Sequence, residues 1–132
     1  MEEWVREARI VDFDDLGRFG RIARKEGLSF KRTQDTVWFG LYFDDELAGC
    51  GGLIWGDKAH TWARLKSALI LPEWRRQHGY KPLVFARVDY AFGQQADHVE
   101  TISRHPQMFL HWGWEVVEGH TKLLRFDRPL DA

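Results

Sequence analysis

Apolar residues alternate weakly with polar ones over residues 5–11, which predicts a first strand. The period then lengthens. Phe13, Leu16, Phe19, Ile22 and Ala23 recur at steps of three and four, the spacing of a helix with one buried face. Asp12 or Asp14 can cap that helix, and Gly27 ends it. Residues 29–36 are polar and basic without a strong period and predict a loop or a short helix. Residues 36–42 are aromatic and β-branched, a strand. The Asp44-Asp45 turn joins it to a second strand over 46–55, making a hairpin. Gly49, Gly51 and Gly52 weaken that second strand, and they let something pack closely on its backbone or mark a bulge. A turn at Gly56-Asp57-Lys58 leads into a long strand over 61–71 that stops at Pro72.

The helical period returns from about residue 79 to 92, with Tyr80, Val84, Val88, Ala91 and Phe92 on one side and Gly93 as its stop. Residues 98–103 alternate as a strand. Pro106 opens a short helix over 106–112 that Gly113 closes. Two last strands, 114–117 and 121–126, meet at Glu118-Gly119. No repeat, linker or low-complexity segment interrupts the pattern. The fold class is therefore α/β (α+β): a mixed, mostly antiparallel sheet of six or seven strands flanked by helices, in one domain over 1–132.

Composition narrows the classes. The 132 residues are 44% hydrophobic, enough for one core. With 19 basic and 20 acidic residues the net charge is −1, so an electrostatic partner must be met by a local patch. Seven tryptophans are more than a small core hides, which suits a cleft or a homodimer face. Cys50 has no partner for a disulfide, and its place in a strand-like run suits a small core residue. No apolar run reaches the length of a membrane span and the first residues are too charged for a signal peptide, so the expected location is the cytoplasm. The six histidines make no short-spaced pair with a cysteine or an acid, so no metal is expected. Ser29, Ser67 and Ser103 lack the context of a nucleophile elbow.

The most informative stretch is 69–84, where an apolar run ends at a proline and Arg75, Arg76, Gly79 and Lys81 precede a helix. A turn of this kind aims backbone N–H groups and the positive end of the helix dipole at one point, which suits a phosphate or pyrophosphate. An ordinary surface turn with solvated arginines has the same composition. Lys31, Arg32, Arg64, Lys66, Arg75 and Arg76, interleaved with Trp62 and Trp74, could also form a surface for nucleic acid.

Several pieces, in this order, resemble the GCN5-related N-acetyltransferase (GNAT) family. The opening strand and helix (residues 5–16) are similar to that family's first strand and helix, and the hairpin at 44–49 to its second and third strands. The segment Arg76-Gln77-His78-Gly79-Tyr80-Lys81 resembles its acyl-coenzyme A pyrophosphate loop, with the glycine one position late and Lys81 where a small residue is usual. Phe109-Leu110-His111-Trp112-Gly113-Trp114 resembles its Tyr-x-x-x-Gly-Phe segment, with Phe109 at the tyrosine.

The resemblance implies an N-acetyltransferase-like enzyme that uses acetyl-CoA or another acyl-CoA as co-substrate, with a small-molecule or peptide amine as acceptor. It implies that the donor lies between the strands at 62–71 and 98–103. The backbone near Ala68 and Ile70 would face the pantetheine arm, and Arg75, Arg76, Gln77, His78, Gly79, Tyr80 and Lys81 the pyrophosphate, with Phe109 beside the donor. Glu100 is the leading general base, ahead of Glu46. Phenylalanine cannot protonate a departing thiolate, so His111 stands first as the acid, with His105, Tyr80 or a water as substitutes. A catalytically weak or inactive binding module on the same fold, and a related transferase acting on nucleic-acid bases, are the competing readings.

Overall fold

The computed structural model describes residues 5–28, 30–33 and 35–130. Seven strands form one sheet: β1 (Arg6–Val11), β2 (Thr36–Phe43), β3 (Glu46–Trp55), β4 (Trp62–Ile70), β5 (His98–Ile102), β6 (Glu115–Val116) and β7 (Leu123–Asp127). Three α-helices connect them: α1 (Gly17–Lys25), α2 (Tyr80–Gly93) and α3 (Pro106–His111). The strand order is β1-β2-β3-β4-β5-β7-β6. All neighbours are antiparallel except β4 and β5. That parallel pair is the natural product of its connection, because a strand-helix-strand crossover through α2 returns the chain in the same direction. Among the described residues no helix is long and apolar enough to cross a membrane.

Strand alternation divides the core between the two faces of the sheet. Phe39, Leu41 and Phe43 of β2 point one way and pack with Leu83, Val84, Val88 and Ala91 of α2. Trp38 points the other way and packs with Phe19 and Ala23 of α1. β4 serves both faces. Its Leu65 lies with α2 and its Leu69 with α1, although four positions apart they would share a side in a regular strand. A β-bulge reconciles them. Cys50 pairs with Leu69 and Gly52 with Lys66, so Ser67 and Ala68 together oppose Gly51, and Ser67 takes a left-handed φ of 50°. The glycine-rich stretch of β3 thus does both things its composition suggests, since it also receives a side chain from α2, described below.

The helix ends correct two expectations. Asp12 and Asp14 do not cap with their side chains. Phe13–Leu16 forms a tight 3-10 turn instead, with the Asp15 N–H donating to the Asp12 carbonyl, and Asp14 pairs with Arg32. Gly93 is the last residue of α2 rather than its stop. The left-handed position falls on Gln95, with φ 76°, while the N–H groups of Ala96 and Gln95 donate to the carbonyls of Ala91 and Phe92. α1 and α3 end on the same motif, with Gly27 and Gly113 in the left-handed place. In α3 the motif brings the ring of Trp114 against Phe109, so Trp114 is buried in the core and leaves β6 shorter than its sequence pattern suggests. No regular element forms among the described residues between 28 and 35; Ser29 and Gln34 of the expected loop lie outside the described residues.

Candidate active site

β4 and β5 stay paired only through Trp62–His98, Ala63–Val99 and Arg64–Glu100. Beyond these pairs they separate, and among the described residues no strand lies beside the β5-side edge of β4 from Leu65 onward. The opening is a cleft of about 530 Å³. It passes through the sheet: Leu28, Arg64 and Lys66 line it from the α1 face, and Tyr80, Arg87 and Thr101 from the α2 face. Ser103, Arg104 and His105 close one end.

Beside the cleft lies the loop into α2. Pro72–Trp74 makes a 3-10 turn, and the chain then reverses with left-handed φ of 64° at Arg76 and 62° at His78. Strain of this kind at residues other than glycine collects at ligand-binding loops. The amides of Arg76, Gln77, His78, Gly79, Tyr80 and Lys81 have no acceptor among the described residues, and no side chain caps α2. A run of free amides at a helix N-terminus is the donor set a diphosphate requires. The loop is held from behind. Arg6 of β1 donates to the Gln77 carbonyl at 2.6 Å. Gly79 rests on β2 so closely that a Cβ there would lie 2.7 Å from Leu41 Cδ2 and 2.8 Å from Phe43 Cε1. Lys81 does not obstruct the corner. Its ammonium sits over the Trp112 ring, 5.9 Å from the centroid.

Under the bulge of β4 lies Arg87, wholly buried on the face of α2 that meets the sheet. Its Nη1 donates to the carbonyls of Gly52 at 3.0 Å and Lys66 at 3.3 Å, and its Nε to Leu83 at 3.1 Å. A Cβ on Gly51 would stand 2.9 Å from the guanidinium carbon, so only glycine admits this approach. No carboxylate pairs with Arg87 among the described residues, and burial lowers its pKa to about 10. Burial also raises the Tyr80 phenol above its ordinary 10.0, with the Arg87 charge pulling the other way. Tyr80 therefore keeps its proton at neutral pH. Cys50, near the same cation, is pushed up to about 12 by burial, which makes it an inert core thiol.

On the α1 face, Glu100 accepts from Arg64 Nη2 at 2.9 Å and faces His98 Nε2 at 3.4 Å. Trp62 stacks on His98, with centroids 5.8 Å apart, and lies under Arg64. The Nε of Arg64 is buried in the cleft wall and has no hydrogen-bond partner among the described residues.

The structure brings Ala68, Tyr80 and the loop amides to one region and leaves other expected site residues elsewhere. Arg75 is committed to the Ile70 carbonyl at 2.8 Å and to Glu26 at 2.7 Å, so it braces the loop instead of offering charge to a phosphate. Ile70 packs against the α2-side core and does not line the cleft. Phe109 is a core residue, 1% exposed, edge-on to Tyr80 and Trp114. His111 is exposed at the end of α3 and does not reach the cleft, while Tyr80 and His105 do. Glu46 is exposed at the hairpin turn. Of the basic surface, Arg32, Arg64 and Arg75 are paired with acids. Sequence reasoning missed Lys66, Arg87, Thr101 and Arg104 as parts of the cleft. Arg87 had a signal, a charge between Leu83, Val84, Val88 and Ala91 in an otherwise apolar stripe.

A sheet that opens between two parallel strands beside a bare helix N-terminus is the architecture of the GNAT acetyltransferases, and the comparisons agree. The spermidine/spermine N-acetyltransferase SpeG from Vibrio cholerae is similar with a TM-score of 0.73 at 14% identity, over 92% of this chain and 93% of that one. A GNAT-family acetyltransferase from Staphylococcus aureus Mu50 is similar at 0.69 and 11% identity, over 93% and 99%. The N-acetylglutamate synthase from Neisseria gonorrhoeae, solved with coenzyme A and N-acetyl-glutamate, is similar at 0.70 and 15% identity, over 96% of this chain and 36% of that one. This chain has the GNAT fold. No protein-family model and no curated protein matches it by sequence.

Proposed function

We propose that the chain is an N-acyltransferase that takes an acyl group from acyl-coenzyme A and gives it to an amine. The observation that carries this reading is the through-sheet cleft lying directly beside the unpartnered amides of residues 76–81. Those amides suit the pyrophosphate, and the bare edge of β4 suits the amide groups of the pantetheine arm. Acyl-coenzyme A supplies the activated carbonyl.

The remaining roles fall to this chain's own groups. Glu100, which stands behind Arg64 outside the cleft lining and beside His98, takes the proton from the entering ammonium through water. The Arg87 charge beneath the bulge favours the negative charge that develops as the carbonyl is attacked. Tyr80, which lies between Phe109 and the cleft and holds its proton at neutral pH, supplies the acid that Phe109 cannot.

Acetyl-coenzyme A at a hundred times its Kd stabilises a protein that binds it only when folded by about 2.7 kcal/mol, so a shift in Tm of roughly 10 °C is expected for a chain of this size. Arg76 is exposed and has no ion-pair partner among the described residues, so Arg76→Glu places an anion at the phosphates and removes most of that shift. No shift at millimolar acetyl-coenzyme A refutes the proposal. A non-catalytic module that binds coenzyme A is the second reading, favoured by Phe109 alone. Release of the free thiol in the presence of an amine separates the two.

A further inference from the structure

Among the described residues the cleft walls carry Arg64, Lys66, Arg87, Arg104 and His105, and no aspartate or glutamate. Arg64 is neutralised by Glu100. The others are not: neither Lys66 nor Arg104 has an ion-pair partner among the described residues, and Arg87 is buried against carbonyl oxygens only. The loop at 76–81 offers its own amides to a diphosphate, and the pantetheine arm that would run from it into the cleft is uncharged. Lys66 belongs to the α1 face: beside Gly52 its stem shares the space of Trp38, on the side away from α2. Uncompensated positive charge in a confined opening repels a polycation and attracts an anion. It also favours the neutral, nucleophilic form of an amine held nearby.

We propose, resting on the acyltransferase reading, that the acceptor is an amine that also carries a carboxylate, an amino-acid-like molecule held by Lys66 and Arg104, and that polyamines are excluded. The carboxylate satisfies the charge that the cleft leaves open, and the amine then lies on the side of Arg64 and Glu100.

The test offers acetyl-coenzyme A with each of the common L-amino acids and, opposite them, with spermidine and putrescine, and follows thiol release. At least one amino acid is expected to be acetylated with kcat/KM about tenfold or more above either polyamine, as removal of a charge-assisted contact of 1.5–3 kcal/mol implies. Lys66→Glu and Arg104→Glu, each checked for an unchanged thermal response to acetyl-coenzyme A, raise KM for that amino acid about tenfold or more with a smaller change in kcat, and lower KM for spermidine. Preference for spermidine, turnover of no amino acid despite a clear acetyl-coenzyme A shift, or an unchanged KM in both variants overturns the acceptor assignment and leaves the donor site standing. Absence of any acetyl-coenzyme A shift instead brings down the underlying acyltransferase reading.

Discussion

Arg87 can be replaced by methionine, a side chain of similar reach that fills most of its space. Two opposing terms decide the outcome. The guanidinium gives up its bonds to the Gly52, Lys66 and Leu83 carbonyls, at 3.0, 3.3 and 3.1 Å. Each is a bond from a charged donor, but water in the adjoining cleft can replace part of it, so the loss is about 1 kcal/mol apiece. Against this, the drop of the Arg87 pKa from the ordinary guanidinium range to about 10 measures the cost of keeping the charge in the core. At about 1.4 kcal/mol per unit that cost is roughly 3 kcal/mol. The terms nearly cancel, so Arg87→Met should melt within about 4 °C of the parent, while acyl transfer falls about tenfold or more because the charge beneath the bulge is gone. Thermal and urea denaturation read the first, and thiol release reads the second. The sign with pH is also fixed. The folded pKa lies below the unfolded one, so above about pH 10 the unfolded chain holds more protons and the burden on the parent eases as pH rises through 10. The variant lacks this relief, so its stability relative to the parent declines above pH 10. A Tm loss beyond about 10 °C at neutral pH, or a stability difference flat across that alkaline range, refutes the reasoning.

Gly79→Ala drives a methyl group into Leu41 and Phe43, so a loss of about 1–3 kcal/mol in chemical denaturation is expected, together with weaker acetyl-coenzyme A binding by calorimetry as the loop shifts. Gln95→Gly relieves a left-handed residue at the end of α2 and should gain about 0.5–1 kcal/mol in urea, the strain removed less the added freedom of the unfolded chain. Cys50, with its thiol near 12, should resist alkylation at pH 8 in the native protein and react rapidly once urea unfolds it; fast native labelling contradicts its burial. Tyr80→Phe should lower kcat about 10²-fold or more with little change in KM for acetyl-coenzyme A, and in the parent the alkaline limb of kcat should fall above pH 10 because burial raises that phenol.

The strands and helices were legible wherever one face is buried, because burial writes its period into the sequence. β3 is recovered to the residue, and α2 and α3 to within a residue or so at each end. Ends set by backbone geometry were harder. A left-handed position can fall on glutamine when the buried Ala96 and Ala91 fix the turn around it, so Gly93 misled. The loop at 76–81 was readable because the function proposed for it needs amides, which any residue but proline provides. The side-chain roles were less so. Arg75 and Arg76 are adjacent and alike, and only the position of Glu26, distant in sequence, shows that Arg75 is a brace. The proposed acid is the clearest case. The sequence ranked His111 ahead of Tyr80, yet Tyr80, on another helix, lines the cleft and His111 does not.

The doubled pair Ser67-Ala68 makes β4 change sides halfway along its length. Ala63 and Leu65 before it pack into one half of the molecule, and Leu69 and Leu71 after it into the other. The number of residues there matters more than their identity: drawing both into regular register would turn Leu69 and Leu71 toward the wrong half, whereas deleting either one would restore plain alternation with both leucines still on their own side.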